Sequence, residues 1–216
     1  MADWSTIASL ATAGGTLVLA VATFGSTRTA NRAARVSEEA LMVGIRPVLF
    51  NARPDDRVQK VRFADNHWVR LRDGLAAVQE ADGNVYMAMP LRNVAQGIAV
   101  LHGWYLYPEV ARSEVPHAPV DEFRHHSRDL YVPAGEISFW QGAIRDPGDP
   151  LYEPLKAAIA RGEGISLDLL YGDHEGGQRT ITRFFLAPRT YGDDEEPWMW
   201  TCAVVRHWNL DRAEPR

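Results

Sequence analysis

One uncharged stretch near the N-terminus limits what this chain can fold into more than any other feature. No Asp, Glu, Lys or Arg lies between Asp3 and Arg28, and the apolar centre of the stretch, IASLATAGGTLVLAVATF, covers residues 7–24. Roughly 24 residues in a helix that rises about 1.5 Å per residue extend about 36 Å, whereas the hydrocarbon core of a bilayer is about 30 Å thick. The sequence therefore predicts a transmembrane helix.

Two other interpretations of this stretch stay open. A cleaved signal peptide usually begins with basic residues, but this chain begins Met-Ala-Asp-Trp, and its apolar run is longer than a typical signal core. The second alternative is a soluble helix that packs against a partner, because many residues of the stretch are Ala, Gly, Ser or Thr. The strongly apolar side chains outweigh these residues only modestly on a membrane-insertion scale.

The residues that flank the apolar stretch predict its orientation. Trp4 lies where an interfacial aromatic side chain is expected, and Arg28, Arg32 and Arg35 follow the stretch on the other side. Under the positive-inside rule the N-terminus is outside and the main domain is in the cytoplasm, so we expect a single-pass protein of the inner (cell) membrane. The single cysteine, Cys202, agrees with a cytoplasmic domain because it excludes an intramolecular disulfide.

The helical pattern continues beyond the apolar stretch until Pro47, because the residue before a proline avoids the helical region. Small residues recur here at a 3-4-3-4 spacing, at Thr23, Ser26, Ala30, Ala33, Ser37, Ala40 and Gly44. Such a stripe suits close helix packing, so a homo-oligomeric stalk is one interpretation. The others are an Ala-rich helix whose small residues are coincidental, and a helix that packs on its own domain. Arg28, Arg32 and Arg35 share one helix face, where they can also meet anionic lipid.

After Pro47 the apolar residues alternate with a period of two, which is typical of strands. The segments with this pattern are 48–52, 67–71, 85–91, 98–107, 137–144, 165–171, 179–186 and 198–208. One helix, at 151–160, interrupts them and ends at Gly162. We therefore expect a mainly β fold, an immunoglobulin-like antiparallel β-sandwich after a long transmembrane and stalk helix. The predicted parts are 1–46 for the helix, 47–210 for the sandwich and 211–216 for a flexible tail.

Two segments carry turn motifs. The first, LRNVAQGIA, matches the pattern Leu-x-Asn-x-Gly-x-Gly-Pro-Ala at Leu91, Asn93, Gly97 and Ala99, with Ala95 and Ile98 in place of a glycine and the proline. The second matches Tyr-x-Asp-x-x-Gly at Tyr171, Asp173 and Gly176. Asn and Gly at such positions suit turns that need side-chain hydrogen bonds to the backbone and a positive φ.

With these two motifs the chain resembles a large set of uncharacterised bacterial single-pass membrane proteins. Those proteins have an N-terminal transmembrane helix, a helical stalk and a β-sandwich. The resemblance spans most of the chain and implies architecture and membrane anchoring. It implies no catalytic residue.

Charge and motif content narrow the function classes. Residues 1–46 hold four of the 23 basic and three of the 28 acidic side chains, which leaves 19 basic and 25 acidic side chains in the rest. We expect no nucleic-acid partner, because phosphate contacts supply most of that affinity. The sequence contains no Gly-x-Ser-x-Gly, P-loop or His-Glu-x-x-His motif. We therefore expect no cofactor.

One cluster has metal-ligand chemistry. In the sequence Asp-Glu-Phe-Arg-His-His at 121–126, a helix would place Asp121 over His125 and Glu122 over His126. Such carboxylate–imidazole pairs can bind a divalent metal. The alternative is a solvated loop between strands.

These observations favour a non-enzymatic binding domain at the cytoplasmic membrane surface, with an unknown protein or small molecule as its ligand. A membrane-associated, metal-dependent hydrolase that uses Asp121, His125 and His126 is the alternative.

Overall fold

A computed structural model describes residues 3–189 and 199–212. Backbone contacts divide the chain into two compact units, Met1–Gly44 and Ile45–Arg216, and we call the second unit the β domain. The first unit belongs to one helix, α1 (Trp4–Ile45). Pro47 follows the helix end, as the sequence predicts.

The large apolar side chains of α1 from Leu10 to Phe24 are exposed. Leu17, Val21 and Phe24 are 68%, 67% and 72% exposed, and α1 is long and apolar enough to cross a membrane. Its threonine hydroxyls donate to carbonyl oxygens four residues earlier, as from Thr16 to Thr12 at 2.8 Å and from Thr23 to Leu19 at 2.7 Å. These hydroxyls therefore need no water.

The β domain is mainly β, as the sequence predicts. Its strands are β1 (Leu49–Asn51), β2 (Gln59–Arg62), β3 (Trp68–Leu71), β4 (Ala76–Ala81), β5 (Asn84–Asn93), β6 (Ala99–Tyr107), β7 (Arg124–Val132), β8 (Ile137–Ile144), β9 (Ile165–Asp173), β10 (Arg179–Pro188) and β11 (Met199–Asn209). A 3-10 turn, Val120–Glu122, precedes β7. One helix, α2 (Tyr152–Arg161), joins β8 to β9, and Gly162 ends it with a left-handed φ of 66°.

All strand pairs are antiparallel, in the order β1-β5-β4-β11-β10-β9-β6-β7, and β8 pairs with the other edge of β5. Within the described residues, β4 and β11 pair at two positions, Met199 with Ala77 and Trp200 with Ala76. Inward side chains from the strands on both sides of this link form one hydrophobic core, so the two halves of the sheet pack face to face. The antiparallel, mainly β prediction is confirmed. The immunoglobulin-like connectivity is not confirmed by this strand order.

Two further hydrophobic clusters cover the outer faces of the sheet. The β2–β3 hairpin packs Val61, Val69 and Leu71 onto the side of β4 and β5 that faces away from the main core. Ala118 and Phe123, from the segment before β7, belong to the third cluster with Leu170 of β9 and Ile181 of β10, so this segment covers the outer side of those strands.

Asp211, the first residue of the predicted tail, is part of an ion pair. Asp211 accepts hydrogen bonds from both terminal nitrogens of Arg46, and Arg46 Nη1 lies 3.1 Å from Asn209 Oδ1. This ion pair ties the end of β11 to the beginning of the β domain. Trp198, which the sequence analysis places in the last strand, lies outside the described residues.

Candidate functional site

The sheet does not close between β7 and β8. Among the described strands, β7 is the last in the pairing order and bonds only to β6, whereas β8 bonds only to β5. Some Cα atoms of the two strands nevertheless lie within 8 Å of each other. We call the gap between these two unpaired edges the seam.

A cavity of about 220 Å³ lies in the seam. It is lined by Phe63, Ala64, Trp104, His125, His126, Arg128, Leu130, Gln141, Gly142, Ala143 and Arg145. Its size is below the 300–1,000 Å³ or so of pockets for drug-sized ligands. The rings of Trp104 and Trp140 meet edge to face at 5.4 Å beside it, so aromatic packing forms its inner side.

A large bulge in β7 shapes the cavity. The register positions on either side of the bulge pair His125 with Gly103 and Leu130 with Leu101. Residues 126–129 of β7 therefore stand opposite the single residue His102 of β6. A bulge of this kind ends regular pairing and redirects side chains, and here it carries His126 to the seam.

Two polar atoms at the cavity are buried and make no hydrogen bond within the described residues, His126 Nε2 and Gln141 Oε1. Burial, together with the nearby His102 and His125, lowers the pKa of His126 to about 4. At neutral pH its imidazole is therefore uncharged and can either donate or accept a hydrogen bond, depending on its tautomer. Buried polar groups without partners are uncommon, and a bound water or ligand usually supplies the missing bond.

Arg145 lines the cavity and Arg124 lies over Trp104, which also lines it, and each of these two arginines is held by an aspartate. Arg124 donates to both carboxylate oxygens of Asp149 at 2.6 and 2.7 Å and lies over the ring of Trp104. These hydrogen bonds lower the pKa of Asp149. Arg145 donates to Asp65 at 2.9 Å. Both arginines are fixed in place.

The hydrogen bonds of Asp65 determine its pKa. Burial raises the pKa of Asp65, but hydrogen bonds from Arg145 and Tyr86 oppose it and lower the pKa to about 2. Tyr86 donates to the same carboxylate at 2.7 Å. Arg128, in contrast, is exposed at the cavity and makes no ion pair with any described residue.

The helix that would place Asp121 over His125 does not form. His125 and His126 lie on strand β7 and not on a helix, and Asp121 lies in the 3-10 turn before it. His125 is exposed and His126 is half-buried, so the two rings have different surroundings. In the described part of the chain no group of three or more His, Cys, Asp or Glu side chains is placed to hold a metal ion.

The predicted turn residues have structural roles. Asn93 is buried, and its amide nitrogen donates to the carbonyl oxygens of Gly97 at 2.6 Å and Val132 at 3.1 Å. Gly97 does not have the expected positive φ. A Cβ atom at Gly97 would lie 1.6 Å from the carbonyl oxygen of Ile45, so the close approach of that backbone requires the glycine.

The β9–β10 hairpin contains the second turn motif. Asp173 Oδ1 accepts hydrogen bonds from the backbone N–H of Gly177 at 2.9 Å and of Gln178 at 3.4 Å. Gly176 has φ +77°, which glycine adopts without strain. These residues close the hairpin and lie in no cavity described above.

A buried ion pair that the sequence analysis missed lies on the outer side of the sheet. Asp168 of β9 and Arg183 of β10 face each other in register, and both side chains are fully buried. Arg183 Nε and Nη2 donate to the two carboxylate oxygens at 2.6 and 2.7 Å. One charge within each of two neighbouring apolar strands, equally far from their hairpin, is the sequence signal that indicates such a pair.

The remaining bonds of Arg183 hold the segment that covers it. Its guanidinium donates to the carbonyl oxygens of Arg112, Val115 and Pro116 at 2.8 to 3.2 Å. The rings of Tyr107 and Trp208 lie 4.8 and 5.0 Å from its central carbon. All its donors are used within the protein, so this pair anchors the segment and offers no free group to a ligand.

The predicted membrane-facing residues lie along α1. Trp4 is 84% exposed in its first turn, and Arg28, Arg32 and Arg35 are exposed further along the helix. Comparisons of this chain with protein-family models, with curated proteins and with solved structures find no match.

Proposed function

We propose that this protein is a single-pass membrane protein that displays a binding domain at the cytoplasmic face. The observation that carries the proposal is the exposure of the apolar side chains of α1, because water disfavours a helix with so many uncovered Leu, Val and Phe side chains. A bilayer would cover them. The internal hydrogen bonds of the threonine hydroxyls remove the cost of placing those groups in lipid.

The proposed orientation has the N-terminus outside and the β domain in the cytoplasm. Arg28, Arg32 and Arg35 follow the apolar stretch, whereas only Asp3 is charged before it. This distribution favours a cytoplasmic C-terminal side under the positive-inside rule. The resemblance to bacterial membrane proteins with a helix, a stalk and a β domain agrees with this arrangement at the inner membrane.

The proposed role is binding, with the seam cavity as the ligand site. Its two polar atoms without partners, His126 Nε2 and Gln141 Oε1, can form hydrogen bonds with a small ligand. Of the two arginines that line it, Arg145 is held in an ion pair with Asp65 and Arg128 is exposed. Arrangements of this kind favour recognition over proton transfer or nucleophilic attack.

Fusion proteins test the anchor and its orientation. A fluorescent protein at the C-terminus is expected to be fluorescent, alkaline phosphatase at the same place is expected to be inactive, and the chain is expected to resist carbonate extraction. Replacing Leu17 and Val21 by arginine is expected to release the chain from the membrane, because each charge at a helix centre costs about 2.5–3.5 kcal/mol.

The matched control places the same two arginines at Val36 and Leu41, which are also exposed on α1 but lie beyond the apolar stretch. This variant is expected to stay in the membrane fraction. Carbonate-soluble wild type would contradict the anchor, and active phosphatase would contradict the orientation.

Native mass spectrometry tests the seam. The full chain, extracted from its own membranes in mild detergent, is compared with a variant that carries His126→Leu and Gln141→Leu. The expected result is a small bound molecule on the wild type that the variant loses. Equal bound mass on both proteins, or none on either after incubation with a metabolite extract, would contradict the seam as the ligand site.

A further inference from the structure

The outward face of the β2–β3 hairpin carries basic and aromatic side chains together. In its register Lys60 lies opposite Arg70 and Arg62 lies opposite Trp68. All four side chains are exposed, whereas the alternate residues Val61, Val69 and Leu71 are buried and Gln59 is half-buried. We call these four residues the hairpin face.

The hairpin face is electrostatically unfavourable for the isolated domain. Like charges directly opposite each other on neighbouring strands destabilise a sheet, and Lys60 and Arg70 are such a pair. Within the described residues neither makes an ion pair. The other lysine of the chain, Lys156, is paired with Glu80 at 2.9 Å. Among the described residues no ion pair therefore offsets this local positive charge, on a protein with a net charge of −5.

Trp68 adds an apolar component to this charge. Its side chain is 56% exposed, and the guanidinium of Arg62 lies 5.8 Å from its ring. Val58, before the other end of the hairpin, is 55% exposed, and Val58, Trp68 and Arg70 line one surface groove of about 510 Å³. Tryptophan together with Lys and Arg is the combination found where proteins meet the headgroup region of a membrane.

The hairpin presents this face rigidly. Its inner side chains Val61, Val69 and Leu71 are almost fully buried against β4 and β5. The four exposed side chains therefore keep a fixed spacing, and binding would require little ordering of the backbone.

We propose that the hairpin face docks on an anionic lipid surface. The inference rests on the proposed function, since the anchor would keep the β domain near the leaflet at a high effective concentration. Each Lys or Arg near such a surface strengthens attraction about fivefold, and the indole of Trp68 enters the headgroup layer. A nucleic acid is disfavoured, because the rest of the domain is acidic.

Fluorescence quenching in nanodiscs tests the proposal on the full chain. The discs contain phosphatidylcholine with brominated acyl chains, with or without phosphatidylserine. The signal of Trp68 is the difference between wild type and Trp68→Phe, which removes the contribution of Trp4 and the other tryptophans. We expect this difference signal to be quenched in anionic discs and unquenched in neutral ones, and high salt to reduce the quenching.

Charge variants test whether the basic side chains of the hairpin face cause the docking. Lys60→Gln with Arg70→Gln is expected to shift the balance between docked and undocked domain by about 25-fold, from two steps of about fivefold. The control, Lys156→Gln with Arg161→Gln on α2, removes the same charge and is expected to leave the quenching unchanged.

Three outcomes would overturn the proposal. These are an unquenched Trp68 signal in anionic discs, equal quenching in both types of disc, and quenching by an added oligonucleotide but not by lipid. Failure of the anchor is distinguishable, because the chain would then not co-elute with any disc.

Discussion

Replacing Arg183 by methionine is expected to destabilise the β domain by about 3–5 kcal/mol, because the substitution leaves Asp168 as a buried charge without its partner. Both side chains of the pair are fully buried, so water cannot take over the lost hydrogen bonds. Replacing the whole pair, with Arg183→Met and Asp168→Leu together, is expected to recover most of this loss. Apolar residues of similar volume often match or exceed a buried ion pair in stability.

The measurement is guanidinium unfolding of the full chain in detergent micelles, followed by tryptophan fluorescence. The matched control is Arg161→Met, which removes an ion pair of similar length on the surface, with Glu163 at 2.7 Å, and is expected to leave the unfolding midpoint unchanged. If Arg183→Met alone were as stable as the wild type, or if the double variant were less stable than the single one, the account of the buried pair would be wrong.

A second measurement on the same variants separates the ion pair from the anchoring of the covering segment. Arg183 donates to the carbonyl oxygens of Arg112, Val115 and Pro116, and the double variant lacks these bonds as well. Trypsin cleavage after Arg112 is therefore expected to accelerate in both variants, even where stability recovers. Slow cleavage in the double variant would mean that the segment is held by its apolar contacts alone.

Three further predictions concern single residues. Gly97→Ala is expected to cost more than about 3 kcal/mol in guanidinium unfolding, because its Cβ would overlap the Ile45 carbonyl oxygen, whereas Gly148→Ala, which meets only a flexible side chain, is the tolerated control. For His126 the unfolded state binds a proton near pH 6.5 and the folded state only near pH 4, so stability is expected to fall as the pH drops between these values, and to fall less in His126→Gln; equal slopes in thermal unfolding would contradict this. Burial raises the pKa of the Cys202 thiol, so maleimide is expected to label it slowly in the native protein and quickly in denaturant, and fast native labelling would exclude its packing against the core.

The strands that the sequence predicts are those with a regular apolar alternation. β8 and β9 begin where the pattern begins, because each strand places alternate apolar residues in the main core. β2 and β4 are missed for different physical reasons. β2 has a single buried apolar residue, Val61, and β4 is rich in alanine, which has a low preference for strands and gains its place by pairing with β5.

The last strand shows that a correctly predicted strand does not determine which face of the sheet each of its side chains occupies. Trp200 lies in the main core, and Cys202 and Val204 pack against it, as alternation predicts. Trp208 lies an even number of positions after Trp200, so strict alternation would place it on the same face, but it lies in the outer cluster beside Arg183. A register shift between Arg183 and Phe184 in the pairing of β10 with β11 accounts for this, because one extra residue moves every later side chain to the other face.

The candidate site could be predicted only in part, and the reason lies in β7 itself. Its first six residues, Arg-His-His-Ser-Arg-Asp, have no apolar alternation, because residues 126–129 bulge out of the pairing with β6. The polar run indicates a helix or a loop in the sequence. His125 and His126 line the cavity, and among the described residues they belong to no group of three metal-ligand side chains. Bulges and charged residues on an edge strand also keep it from pairing with other chains. A regular, apolar β7 would have been recognisable in the sequence and could have continued its pairing towards β8, which would remove the seam. The irregularity that hides this strand from pattern analysis is therefore the feature that creates the cavity.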